Sequence, residues 1–160
     1  HHDFYGFNSR LDAVQAGILR VKLKHLDIWN RQRKDAALHY DRLLREVSGI
    51  KRPTLVAGTD AVFHLYPVLT DYREALLAHL KKNGISPLIH YPSIIPDQFA
   101  AWDSRFSGQV SPFPNGRSAA EHLLSLPLFP GIKASEIEAV VEVASSFSLD
   151  CEPPVNSNKL

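Results

Sequence analysis

The sequence predicts an α+β fold, in which one very long helix is followed by a small sheet covered by shorter helices. Apolar residues recur at helical spacing throughout residues 11–47. Two later stretches, residues 61–69 and 85–91, are short and rich in β-branched or aromatic side chains, as strands are. Amphipathic patterns between and after them indicate the shorter helices.

The first helix is expected to cover residues 11–47. Ser9, followed three residues later by Asp12, forms a capping box at its start, and Gly49 and Pro53 mark its end. At 1.5 Å per residue such a helix would be roughly 55–60 Å long, more than the diameter of a small domain. We therefore expect it to bend or to run along a seam with another part of the protein.

The sheet and its first covering helix come next. Pro67 places the strand at residues 61–69 at an edge or a bulge, because proline lacks a backbone N–H. Asp71 and Glu74 form a second capping box, which opens a helix that stops at Gly84. The apolar residues 85–91 form the second strand.

The remaining chain alternates loops with short elements. We expect an amphipathic piece at residues 99–102, a polar loop at 104–114, a helix at 118–124, an extended piece at 125–128 and a last helix at 134–147. This organisation divides the chain into the long helix with its N-terminus (residues 1–49), a small α+β domain (50–149) and a flexible tail (150–160).

Composition excludes several classes of function. Apolar residues make up 44% of the 160 positions, and 18 Lys and Arg nearly balance 17 Asp and Glu, so no broad charge attracts nucleic acid or a membrane. There is no membrane-length apolar run and no signal peptide is visible.

A single cysteine, Cys151, predicts a reducing compartment and hence the cytoplasm. The eight histidines lack paired ligand spacing, which predicts no metal site. The chain begins His1-His2 and has no methionine, so we expect a fragment.

Candidate binding residues stand at the start of the long helix. Asn8 and Arg10 flank Ser9 where free N–H groups and the helix dipole favour an anion. Asn8 can donate its amide, and Arg10 can bind phosphate or carboxylate with two N–H groups. Ordinary helix capping explains the same residues equally well.

Several segments resemble the DegT/StrS family of sugar aminotransferases, in the family's order and near its spacing. Residues 6–12 read GFNSRLD, 63–66 read FHLY, 90–92 read HYP and 124–130 read LSLPLFP. These matches cover almost the whole chain but correspond only to the later part of a family member.

The resemblance implies the small domain and interdomain helix of a type I aminotransferase fold, with a small, mainly antiparallel sheet. Pyridoxal phosphate would lie on an upstream large domain that carries the Schiff-base lysine, so this chain contains no catalytic residue and is inactive alone. Members are usually homodimers with shared active sites that transfer nitrogen from glutamate to nucleotide-linked keto-sugars in amino-sugar and polysaccharide biosynthesis.

The resemblance also assigns roles to individual residues. The equivalent of Asn8 binds the cofactor phosphate of the neighbouring subunit, and Arg10 follows in the same motif. His90 and Tyr91 match a loop near the nucleotide-sugar site, although a structural histidine at a strand end fits His90 equally well. His64 is expected to be a core or interface histidine.

Two positions depart from the family pattern. Pro96 replaces the second histidine of the pattern HYPxPxHxQ, and Arg117 replaces the glutamate of Phe-Pro-x-Ala-Glu. Both departures favour an alternative, in which the chain is a non-catalytic sugar-nucleotide-binding, regulatory or partner module. A deoxysugar dehydratase with a replaced upstream lysine is a further alternative. The sugar and the aminated carbon do not follow from the sequence.

Overall fold

The computed structural model describes residues 8–52, 54–98 and 113–147 and confirms the α+β class. Within these residues five α-helices accompany one two-stranded antiparallel sheet. The helices are α1 Ala13–Leu23, α2 Leu26–Leu43, α3 Arg73–Lys82, α4 Pro114–His122 and α5 Ala134–Ser145. The strands are β1 Tyr66–Leu69 and β2 Leu123–Leu126, and short 3₁₀ turns cover Leu44–Glu46 and Ile95–Asp97.

The long first helix is interrupted at Lys24 and His25, between α1 and α2, in agreement with the expected bend. The N–H of His25 donates to the carbonyl of Lys22 at 3.0 Å, a tight turn that closes α1. The start also differs: Asp12 is the N-cap, and its carboxylate accepts the N–H of Gln15 at 2.7 Å. Ser9 therefore lies outside the helix.

The two halves of this region differ in burial. α1 contains no buried residue, whereas α2 buries Ala36, Ala37 and Tyr40 where it packs against α5. The chain then turns at Gly49, whose φ of 76° lies in the left-handed region that suits glycine.

The sheet is shorter than the sequence predicts. β1 pairs with β2 from Tyr66 opposite Leu126 to Leu69 opposite Leu123, and the pairing length limits both strands to four residues. The strand predicted at residues 61–69 begins only at Tyr66, since Phe63 has a positive φ of 50° that an extended strand cannot contain.

The second predicted strand, residues 85–91, is reduced to a single bridge between Leu88 and Ser125. Pro87 has no N–H to donate to a ladder, which explains why pairing does not extend in that direction. A further bridge joins Lys51 to Leu69 on the other side of β1.

The shorter helices confirm the predicted elements with shifted ends. α3 starts at Arg73 without the Asp71–Glu74 capping box, because Glu74 instead accepts from the guanidinium of Arg73. α3 stops at Gly84 as predicted. The helix predicted at 118–124 is α4, the extended piece at 125–128 is β2, and the last helix is α5. The predicted elements at 99–102 and 104–112, the tail, Pro53 and Cys151 lie outside the described residues.

One core joins α2, the sheet, α3 and α5. The rings of Tyr40 and Tyr66 stack at 4.6 Å between centroids, and the Tyr40 hydroxyl donates to the carbonyl of Pro127 at 2.9 Å. The fully buried aliphatic side chains around them are Val68, Leu76, Leu80 and Leu124. β2 lies in this core, and α4 leads directly into it.

Candidate functional site

The segment that carries His90 and Tyr91 begins at a backbone bridge to β2. The N–H of Leu88 donates to the carbonyl of Ser125 at 3.1 Å, and the N–H of Ser125 donates to the carbonyl of Leu88 at 2.8 Å. Ser125 is buried in the predicted LSLP stretch. The core strand therefore fixes the backbone two residues before His90.

The same segment ends in a compact turn. The N–H of Asp97 donates to the carbonyl of Ile94, and the N–H of Gln98 to that of Ile95, both at 3.0 Å. The side-chain amide of Gln98 also donates to the Ser93 hydroxyl. Together these hydrogen bonds close residues 93–98 on themselves.

An ion pair joins this turn to α4. Arg117 donates from Nε to Oδ2 of Asp97 at 3.0 Å and from Nη2 to Oδ1 at 2.7 Å, a two-point contact between planar groups. The Arg117 hydrogen bond lowers the pKa of the Asp97 carboxyl, and Asp97 in turn raises the pKa of Arg117. The pair therefore stays charged near neutral pH.

Between the bridge and the turn, His90 and Tyr91 have different environments. Nδ1 of His90 is buried and has no hydrogen-bond partner within the described part of the chain. The Tyr91 side chain is 71% exposed, and its ring meets the imidazole edge-on at 5.8 Å. The structure thus presents Tyr91 to solvent and places His90 behind it.

Tyr91 borders a largely apolar pocket of about 440 Å³. One wall is formed by residues 93–96, and the other by α4 with the residues on either side of it, Phe113 and Leu123. Pro96 also lines the pocket, so one of the two departures from the family pattern lies at the predicted substrate side.

Asn8 and Arg10 lie elsewhere, in exposed chain before α1. Neither residue forms a hydrogen bond or ion pair within residues 8–52, 54–98 and 113–147, and no contact there joins them to His90 or Tyr91. The helix begins later than predicted, because Asp12 is the N-cap and its carboxylate accepts the N–H of Gln15, so the anion site at Asn8 and Arg10 stays a prediction.

His64 was predicted to be a core or interface histidine. It is exposed, so the core alternative is wrong, and the interface alternative stays a prediction. The described residues contain no group of three or more His, Cys, Asp or Glu that could hold a metal ion. Among the same residues, none of the helices combines the length and apolarity that crossing a bilayer requires.

A polar network beside the core, formed by Tyr66, Asp41 and Arg52, was not predicted from the sequence. The Tyr66 hydroxyl donates to Oδ1 of Asp41 at 2.6 Å, and Arg52 donates to Oδ2 at 2.8 Å. Burial, followed by the Asp41 hydrogen bond, raises the pKa of Tyr66 above its usual range. Asp97 was missed too. The only sequence signal for it was its place beside Pro96.

Comparison with known proteins gives a consistent result. The model of the DegT/DnrJ/EryC1/StrS aminotransferase family matches residues 1–145. A "Pleiotropic regulatory protein" of Geobacillus stearothermophilus is 38% identical over 92% of this chain and 40% of its own length. The dTDP-3-amino-3,4,6-trideoxy-alpha-D-glucose transaminase of Streptomyces venezuelae is 35% identical over 92% of this chain and 38% of its own.

Solved structures agree with these matches. The crystal structure of S. venezuelae DesV superimposes with a TM-score of 0.74 at 35% identity, covering 91% of this chain and 38% of DesV. A DegT DnrJ EryC1 StrS aminotransferase from Brucella abortus gives 0.72 at 28% identity, over 87% and 36%. The chain thus spans about two fifths of the length of these relatives.

Proposed function

This chain belongs to the DegT/DnrJ/EryC1/StrS aminotransferase family, and from that membership we propose that it is the C-terminal segment of a nucleotide-sugar aminotransferase. The observation that carries the proposal is the family match over residues 1–145, which includes both the Asn8–Arg10 and the His90–Tyr91 motifs. The substrate would be a nucleotide-linked keto-sugar, with an amino acid such as glutamate as donor.

The proposed cofactor is pyridoxal phosphate, held mainly by an upstream large domain that also supplies the catalytic lysine. The side chains of Asn8 and Arg10 are exposed and unpaired within the described residues, so an amide and a guanidinium are free to bind its phosphate. These residues fit the group. When bound, the cofactor supplies the electron sink for transamination.

The chain's own contribution is binding and orientation. Asn8 and Arg10 would bind phosphate across the interface of a homodimer, and His90 and Tyr91 would contact the nucleotide sugar. The bridge at Leu88 and the pair at Asp97 support the second assignment, because a ligand-binding segment held at both ends loses less entropy on binding. The proposed location is the cytoplasm, where nucleotide sugars are used.

The test uses two polypeptides: this 160-residue chain, and a longer one that adds the upstream residues. With pyridoxal phosphate, glutamate and a panel of dTDP- and UDP-linked keto-sugars, the longer polypeptide should form an amino sugar and the short chain should not. Borohydride reduction should leave no stoichiometric cofactor adduct on the short chain, as judged by its mass. An adduct on one specific lysine of the short chain, or no amino sugar from the longer one, would overturn the proposal.

A second candidate is a non-catalytic regulatory module of the same fold. It is favoured by the name of the Geobacillus stearothermophilus relative and by the departures at Pro96 and Arg117. The longer polypeptide would then bind nucleotide sugars in calorimetry without transferring nitrogen to any of them.

A further inference from the structure

We propose that the Asp97–Arg117 pair positions the segment carrying His90 and Tyr91 and thereby sets its affinity for substrate. The inference rests on the proposed function in taking those two residues as substrate contacts. Asp97 and Arg117 act through them as positioning residues and touch no ligand themselves.

The segment that carries His90 and Tyr91 is attached to α4 and β2. α4 ends at His122 and β2 begins at the next residue, so the two form one continuous unit. The segment 88–98 is bound to this unit at both ends, by the Leu88–Ser125 bridge and by the Asp97–Arg117 pair. His90 and Tyr91 therefore lie between two anchors on the same continuous unit.

The two anchors differ in character. The bridge lies at the buried strand β2 and depends on backbone atoms, so side-chain substitutions leave it in place. The pair is partly exposed, with 39% of the Arg117 side chain and 30% of the Asp97 side chain accessible. Solvent and salt reach such a pair, which makes it the adjustable end of the segment.

The ion pair also fixes the orientation of the turn at residues 93–98 relative to α4, which the apolar contacts alone do not. A methyl group added at Gly116 would lie 3.5 Å from Cγ2 of Ile94, an ordinary contact that shows the turn resting against α4. Apolar contact of this kind is not directional, so the turn could slide along α4 without losing it. The two-point contact of the guanidinium fixes the orientation of Asp97 relative to α4, and with it the pocket beside Tyr91.

The charges at these positions depend on one another. An acidic residue in place of Arg117 would face the Asp97 carboxylate and repel it, whereas exchanging the two charges would restore attraction. The departure at Arg117 is thus matched by Asp97, the acid that follows the other departure, Pro96.

The first measurement needs no substrate. In the 160-residue chain, the amides of Asp97 and Gln98 should exchange hydrogen about tenfold faster in Arg117→Met and faster again in Arg117→Asp, because the turn opens locally. The double variant Asp97→Arg with Arg117→Asp should recover protection. The amides of Leu88 and Ser125 should not change. The matched control is Lys34→Met, which removes a similarly accessible cation paired with Asp60 outside this segment.

The second measurement is kinetic and uses the longer polypeptide. Arg117→Met should raise KM for the nucleotide sugar about tenfold with kcat within about twofold, since uniform binding is lost and the chemical step is untouched. The charge-exchanged double variant should recover most of the affinity, which a general loss of folding would not allow.

Tyr91→Ala separates the two proposals. Unchanged exchange in Arg117→Met, or faster exchange with unchanged KM, would overturn the inference about the pair. If Tyr91→Ala still raises KM in that case, the proposed function stands. If Tyr91→Ala also leaves KM unchanged, the substrate role of the segment falls as well.

Discussion

α1 and α2 follow one another in the sequence but behave in opposite ways. α1 is the more apolar of the two, and yet none of its residues is buried, whereas the more polar α2 buries three. Val14 and Val21, for example, are 74% and 61% exposed. The contrast teaches that apolar content alone does not produce burial: a helix also needs a partner, and an exposed apolar surface of this kind indicates an interface.

The largest expected effect separates the two regions by stability. Leu80→Ala removes a fully buried side chain and should lower the free energy of unfolding by about 2–5 kcal/mol. Ile18→Ala in α1 should change it by less than about 0.5 kcal/mol, because the side chain is already in water. Urea denaturation of both variants measures the difference. Equal losses would mean that α1 packs against the domain in solution.

The next largest effect concerns the proposed binding of cofactor phosphate by Asn8 of the neighbouring subunit. Asn8→Ala should weaken cofactor affinity about ten- to hundredfold, since a hydrogen bond to a charged phosphate contributes roughly 1.5–3 kcal/mol. The substitution should leave the stability of the packed domain unchanged. Cofactor affinity is measured in purified mixed dimers of the longer polypeptide, in which only one subunit retains the catalytic lysine and therefore only one site binds cofactor covalently.

Two pairings provide the control. An Asn8→Ala subunit with a lysine-deficient partner keeps the only functional site opposite an intact Asn8, and should bind cofactor normally. In the second pairing, one subunit carries both Asn8→Ala and the lysine loss, and its partner is unchanged. The functional site of the partner then lies opposite the mutated Asn8, and cofactor binding should weaken. Equal affinity in the two pairings would show that Asn8 does not bind phosphate across the interface.

A smaller effect is expected on association of the 160-residue chain. The apolar stripe of Leu11, Val14, Ile18 and Val21 is exposed and should mediate self-association. Ile18→Asp should weaken it at least about tenfold, or 1.4 kcal/mol, in sedimentation equilibrium. Val56→Asp, at a still more exposed apolar residue outside α1, is the control. A wild-type monomer at all concentrations would contradict the expectation.

The same contrast explains which elements the sequence predicts well. α5 begins where its pattern predicts, and α3 ends at Lys82, just before the predicted stop signal Gly84, because local signals and packing agree there. The division between α1 and α2 has no local signal: neither Lys24 nor His25 is a glycine or proline. The four-residue length of β1 is likewise set by its partner β2 and not by its own composition.

The candidate site shows a similar limit. His90 and Tyr91 could be identified because they match a motif, but the Asp97–Arg117 contact spans 20 residues and required the fold. Side chains brought together by tertiary structure leave no periodic pattern in the sequence. The departures at Pro96 and Arg117 were visible, whereas the pairing of Arg117 with Asp97, the residue after Pro96, was not.

The smallest effect tests the packed region alone, through Tyr66. Tyr66→Phe removes the hydrogen bond to Asp41, which keeps its pairing with Arg52, so the loss of stability near pH 7 should be about 0.5–1.5 kcal/mol.

Burial raises the pKa of Tyr66, and that of Tyr40, above the usual range. Both groups therefore stabilise the fold fully below about pH 10, and that contribution is lost as the pH rises further, when the unfolded chain ionises first. The variant lacks one of the two groups, so its stability should fall less steeply above pH 10, by up to about 1.4 kcal/mol per pH unit. Urea titrations from pH 8 to pH 11 measure both slopes, with Ile18→Ala expected to keep the wild-type slope. Identical slopes for wild type and Tyr66→Phe would show that Tyr66 ionises alike in the folded and unfolded chains.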